Sequence, residues 1–147
     1  MDIRVMRPSD YDYVYALWMT CNGMGLNDVD DSRESIEAFL ERNPTTCLVA
    51  EEEGKIVGVI VVGFDGRRAH VYHAAVHPNV RRHGIGRALV DAAVEALRDM
   101  GVSKLCLVVF ADNETGNGFW EHLGFHARTD LTYRDKALVE LVRYDQS

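Results

Sequence analysis

Between a strand-like run, Ala69 to Val76, and a strongly helical run, Arg87 to Met100, the chain reads Arg81-Arg82-His83-Gly84-Ile85-Gly86-Arg87. A glycine-containing turn that leaves a strand and opens a helix exposes the first helical N–H groups on one side, with the positive end of the helix dipole behind them. Such a turn is a cup for a phosphate. Gly84 and Gly86 let the backbone approach an anion or take φ > 0, and three arginines and a histidine add positive charge around it. The first expectation is a ligand carrying a pyrophosphate.

The distribution of charge narrows the ligand. The net charge is −7, which argues against a protein that grips a nucleic-acid backbone through bulk positive field. Yet from Gly66 to Arg87 there are five arginines, four histidines and no carboxylate, whereas Asp28 to Glu37 and Glu51 to Glu53 are acidic. A compact basic patch on an acidic chain suits a small polyanion. Cys21, Cys47 and Cys106 are odd in number and form no C-x-x-C, so they read as reduced, mostly buried thiols of a cytoplasmic protein. No apolar run reaches spanning length, and neither a membrane anchor nor a signal peptide is expected.

In chain order, Ile3 to Met6 reads as a first strand, and Ser9-Asp10-Tyr11-Asp12 has the form of a capping box before Val14, Leu17, Trp18 and Cys21 at helical spacing. After Asn22-Gly23-Met24-Gly25 a second capped helix carries Ile36, Phe39 and Leu40, and Asn43-Pro44 stops it. Strands follow at Cys47 to Glu51, Ile56 to Gly63 and Ala69 to Val76, with Asp65-Gly66 as a type I′ hairpin signal. The run from Ile56 to Val62 is apolar on both parities and belongs at the centre of a sheet. Leu89, Val90, Ala93, Val94 and Leu97 mark the helix after the glycine turn, and Gly101 sits where a C′ glycine belongs. Lys104 to Ala111 is a further strand, Thr115 to Leu123 a short helix, and Leu131 to Arg134 a last strand; Ala137 to Val142 is left unassigned. The whole of 1–147 reads as one domain. The turn lacks the third glycine of G-x-G-x-x-G, since Leu89 occupies it, and no G-K-[ST] follows, so dinucleotide and nucleoside triphosphate readings are set aside.

The order of elements and the residues together resemble the GCN5-related N-acetyltransferase (GNAT) family over nearly the whole chain. Ala75-Val76-His77-Pro78 followed by Arg81-Arg82-His83-Gly84-Ile85-Gly86 is similar to that family's V-x-P and [QR]-x-x-G-x-[GA] signature for the acetyl-CoA pyrophosphate. Asn113 and Gly124-Phe125 fall at the spacing of its Asn and terminal G-[FY] pair. The resemblance implies an α/β fold with a mixed, mainly antiparallel sheet of six to seven strands flanked by helices and splayed between the fourth and fifth strands. It implies acetyl-CoA as co-substrate, no metal, and transfer to a primary amine of a small molecule or a peptide N-terminus by direct attack in a ternary complex. Family members are often dimers, so a homodimer is an expectation by resemblance.

The cofactor residues implied are Ala74, Ala75 and Val76, whose free strand backbone would pair with pantetheine, then Arg81, Arg82, His83, Gly84, Ile85, Gly86 and Arg87, and Asn113 on the pantetheine arm or as a helix N-cap. The N–H of Val76 would polarise the thioester carbonyl. Many members protonate the leaving sulfur with a tyrosine seven residues after the Asn; here that position is Trp120, whose indole cannot serve as an acid in water. Trp120 therefore either stands at the chemistry or packs with Phe119 and Leu123, and an acyl-CoA-binding module with little catalysis is the alternative to an enzyme. Members of the family that use a base on this strand place it on the parity of Val76, so the resemblance implies His70 and Tyr72 over His73. Asp28, Asp30, Asp31 and Glu34 either attract a cationic amine or cap and solvate the loop before the second helix.

Overall fold

The computed structural model describes residues 1–143. Five strands form one sheet in the order β1 (Asp2–Val5), β2 (Leu48–Glu52), β3 (Lys55–Phe64), β4 (Ala69–Val76), β5 (Leu105–Leu107). The first three pairings are antiparallel and β4 with β5 is parallel. Helices α1 (Tyr11–Met19) and α2 (Arg33–Arg42) connect β1 to β2, α3 (Ile85–Asp99) connects β4 to β5, and α4 (Glu114–His122) follows β5. Because β3 has a strand on each side and a helix layer on each face, both parities of its apolar run are buried, as its sequence required.

The sheet divides two cores. On one face Val49, Val59, Val61 and Ala75 meet Val14, Leu17, Trp18, Ile36 and Leu40. On the other, Ala50, Ile60, Val62 and Val71 meet Ile85, Leu89, Val90, Ala93 and Leu97 of α3, together with Trp120. A Cβ at Gly58 would lie 2.9 Å from both Ile85 Cγ2 and Leu89 Cδ1, so the bare backbone of β3 is what lets the start of α3 sit tightly on the sheet. Gly101 closes α3 with φ 75, and the Val102 N–H returns to the Leu97 carbonyl at 3.0 Å. No helix among the described residues is long and apolar enough to cross a membrane.

Three expectations need correction. The described residues hold five strands, not six to seven. Leu131 and Tyr133 are 61% and 70% exposed, so the alternation in Leu131 to Arg134 has no surface to bury against and forms no strand. The chain beyond α4 is instead tied down by exchange between Asp28 and Val142 and by a bridge from Arg143 to Asn27. Second, Ser9 does not cap α1; it lies in a 3-10 turn, Pro8–Asp10, because Asp10 is drawn toward β1. Third, only Gly66 takes a positive φ in the β3–β4 hairpin, the pattern of a II′ rather than a I′ turn, with Asp65 Oδ1 accepting from the Arg67 and Arg68 N–H groups at 2.8 Å.

The buried Asp10 carboxylate accepts from Arg4 Nη1 and Nη2 at 2.8 and 2.9 Å and from the Arg7 N–H at 2.7 Å. The hydrogen-bonded Arg4 guanidinium holds the Asp10 carboxyl below the usual carboxylate range. A depressed folded-state pKa contributes stability that is complete above the unfolded value, about 3.9, and is lost as pH falls through the folded one. Arg4→Met is therefore expected to cost about 1–3 kcal/mol at neutral pH, and to flatten the acid loss of stability. Urea unfolding across pH, compared with the parent, checks both.

Candidate active site

β4 ends at Val76, and Pro78–Val80 makes a single 3-10 turn with His77 Nδ1 accepting the Asn79 N–H at 3.1 Å. Arg82 then takes φ 71 and Gly84 φ 78, two left-handed residues that bend the chain into α3. A Cβ at Gly84 would meet nothing within 4 Å. The first main-chain bond of α3 is from Ala88 N–H to Gly84 O, at 3.0 Å. The N–H groups of Ile85, Gly86 and Arg87 therefore find no protein acceptor among the described residues, and they open at the positive end of a 15-residue helix. Arg82, His83 and Gly84 are exposed, whereas the Ile85 side chain is 1% exposed and anchors the turn to the core. Arg87 lies 4.0 Å from Asp91 one turn on, with both side chains largely exposed.

Gly86 has a different task from Gly84. A Cβ there would lie 3.1 Å from the ring of Phe119, so Gly86 admits α4 against the start of α3. Trp120, next to Phe119, is buried and stands edge-on to the rings of Phe119 and Phe125 with centroids 5.0 and 5.1 Å away. Asn113 Oδ1 caps α4 by accepting the Gly116 N–H at 2.9 Å, and its amide nitrogen faces Gly23 in the α1–α2 loop.

The gap beside β4 is real. β4 pairs with β5 only from Ala69–Leu105 to Val71–Leu107, while its far end continues along β3 as Ala74–Ile60, Ala75–Val59 and Val76–Gly58. The His77 N–H bonds the Val57 carbonyl at 2.8 Å, which sets the phase of that antiparallel ladder. By alternation Ala75 exchanges bonds with Val59, and Ala74 and Val76 turn their N–H and C=O groups away from β3 into the gap. The Val76 carbonyl accepts from Arg81 Nε at 3.2 Å, and Cys21 Sγ lies 3.7 Å from it and 3.5 Å from Arg81 Nη2. So Arg81 is a brace at the strand end, joining α1 to the turn.

The parity argument for a base fails at a β-bulge. Val61 pairs with His73 but Val62 with Val71, so Tyr72 is an extra residue in β4. From Val71 to His73 the facing slips by one, which puts His70 and Tyr72 on the α1–α2 face with His73 and Ala75, opposite Ala74 and Val76. Tyr72 meets Phe39 edge-on at 5.6 Å, and both it and His70 line a groove of about 200 Å³ with Phe39, Arg42 and Phe64. His73, set aside on parity, is inside: its Nε2 is 2.7 Å from Asp31 Oδ1. Of the acidic loop, Asp31 is thus spent on His73 and on the Asn27 N–H, Asp28 on Val142, and Asp30 on Asn27.

The model of the acetyltransferase (GNAT) family matches residues 11–125. An acetyltransferase of Sodalis glossinidius is 35% identical over 144 residues, covering 98% of this chain and all of that protein. An acetyltransferase of Pectobacterium atrosepticum is 36% identical over 140 residues, covering 95% and 97%. Among solved structures, Ard1 from Thermoplasma volcanium superposes with a TM-score of 0.76 at 27% identity, over 87% of this chain and 84% of that one. The PaiA N-acetyltransferase of Thermoplasma acidophilum, solved with coenzyme A, shares the fold with a TM-score of 0.73 at 17% identity, over 87% and 92%. With a family model spanning most of its length and full-length relatives above 30% identity, this chain belongs to the GNAT acetyltransferase family.

Proposed function

We propose that this enzyme transfers an acetyl group from acetyl-CoA to a primary amine, on a small molecule or a peptide N-terminus, by direct attack in a ternary complex. The observation that carries the reading is the row of unsatisfied N–H groups at Ile85, Gly86 and Arg87 behind the left-handed Gly84. They fit a pyrophosphate as donors, and Arg82 and His83 stand exposed beside them. Acetyl-CoA supplies the activated acetyl carbon and a thiolate leaving group. The backbone of Ala74 and Val76 offers strand-like hydrogen bonds to the pantetheine amides, while Ala75 serves by holding β4 to β3. The Val76 N–H is the donor placed to take up charge on the carbonyl oxygen, a contact of the kind worth about 3–4 kcal/mol.

Trp120 is read as packing, since its ring is enclosed by Phe119 and Phe125. A thiol with a pKa near ~8.5 is an adequate leaving group without a tyrosine acid. Asn113 acts as the α4 cap, and His70 and Tyr72 act as the aromatic wall of the acceptor groove. Thiol release from acetyl-CoA, followed across a panel of amines and free peptide N-termini, tests the reading. Release well above background with a subset of the panel is expected; a uniform background rate with every acceptor would contradict it.

A further inference from the structure

Just past the bulge at Tyr72, His73 faces inward against α1. Its side chain is 10% exposed, its Nε2 is 2.7 Å from Asp31 Oδ1, and the Asp31 side chain is itself 4% exposed. Asp31 is fixed in turn: its Oδ2 accepts the Asn27 N–H at 2.9 Å, and the Tyr11 hydroxyl donates to its main-chain oxygen at 2.6 Å. A carboxylate that accepts from Nε2–H sets the tautomer and leaves Nδ1 with a lone pair able to accept. That Nδ1 is buried and finds no protein partner among the described residues. The indole N–H of Trp18, fully buried on α1, is likewise unmatched, and the two rings stand edge-on with centroids 5.0 Å apart.

One buried acceptor and one buried donor left open side by side are costly unless a small polar guest satisfies them. A single water would satisfy both, accepting from the Trp18 N–H and donating to His73 Nδ1. The location is also apt. His73 lies between the groove at His70 and Tyr72 and the strand end at Val76, about 10 Å along β4 at ~3.3 Å per residue. His70 and Tyr72 share its face, but Asp65, the carboxylate nearest His70 in the groove, is hydrogen-bonded to the Arg67 and Arg68 N–H groups instead.

We propose that His73, positioned by Asp31, is the proton acceptor for the attacking amine, reached through buried water. This rests on the acyl-transfer reading above. An ammonium gives one proton through water to Nδ1, producing an imidazolium opposite the Asp31 carboxylate. The freed nitrogen lone pair forms the C–N bond as the C–S bond breaks, and the sulfur leaves with the electron pair. The second proton lost by nitrogen passes through solvent to the thiolate, and His73 returns its proton to water.

The test uses two acceptors of similar size and different basicity, ethylamine and 2,2,2-trifluoroethylamine, at pH 7. The first is almost all ammonium there and needs a base; the second is mostly neutral and does not. His73→Gln is expected to lower kcat/KM for ethylamine about 10²-fold and to leave that for trifluoroethylamine within about threefold. Asp31→Asn should show the same contrast in weaker form, with both variants keeping the parental heat of acetyl-CoA binding. Equal loss on the two amines, or no loss on ethylamine, overturns the relay and leaves a merely structural pair. Wild-type enzyme that binds acetyl-CoA but is silent toward both amines and toward every other amine and peptide N-terminus of the panel brings down the acyl-transfer reading, and the relay with it.

Discussion

Gly84→Glu is expected to abolish acetyl-CoA binding while the protein stays folded. Gly84 has φ 78 and ψ 9, and a side chain there costs about 1–2 kcal/mol through the left-handed backbone alone. Nothing among the described residues lies within 4 Å of the Cβ position, so no steric penalty adds to it. The new carboxylate, however, stands at the mouth of the cup formed by the Ile85, Gly86 and Arg87 N–H groups and would repel the pyrophosphate proposed to bind there. Hydrogen bonds to a charged group are worth about 1.5–3 kcal/mol each, so losing two weakens binding by at least about 10²-fold. Calorimetric titration with acetyl-CoA measures this, and the melting temperature should fall by only about 2–8 °C. Gly84→Ala separates the two effects, carrying the backbone strain without the charge.

The second large effect is on stability. Trp120→Ala should cost about 3–5 kcal/mol, the usual loss for a large aromatic in a core. The ring is packed against two others and lies in the cluster that α3 forms on the sheet. A loss of that size is a large part of a typical total of about 5–15 kcal/mol. Trp120→Tyr keeps an aromatic contact with Phe119 and Phe125 and should unfold at a urea concentration much closer to the parent, with acetyl-CoA binding unchanged. A several-fold rise in turnover in Trp120→Tyr would contradict the packing role and show that an acid had been missing.

What could be read from the residues was local. The left-handed turn into α3 is specified by Gly84, whose backbone only a glycine adopts easily, and the α3 stop by Gly101; both conformations are decided within a few residues. The central place of β3 followed from apolar residues on both parities. The α1 cap was misread because Asp10 has a competing partner in Arg4 on β1, which the capping pattern alone does not register. The β4 bulge was invisible because a bulge is decided by the partner strand: nothing in Val71-Tyr72-His73 distinguishes a straight strand from one with an extra residue. That single residue placed His70 and Tyr72 on the face opposite Val76, beside His73, whose own facing it leaves unchanged. The choice of base by parity failed there for that reason. Gly86 shows the converse, a residue singled out for the turn whose packing reason was hidden, since its partner Phe119 is thirty-three positions away and declares itself only in three dimensions.

The claim on which the rest depends is that the main chain at the start of α3 grips the pyrophosphate. Amide chemical shifts of nitrogen-15-labelled protein, followed while coenzyme A is added, test it without reference to turnover. The account predicts that the largest shifts fall on Gly84, Ile85, Gly86 and Arg87, with Val76 following when acetyl-CoA replaces coenzyme A. Saturable binding that leaves those amides unmoved and shifts another part of the surface would contradict it.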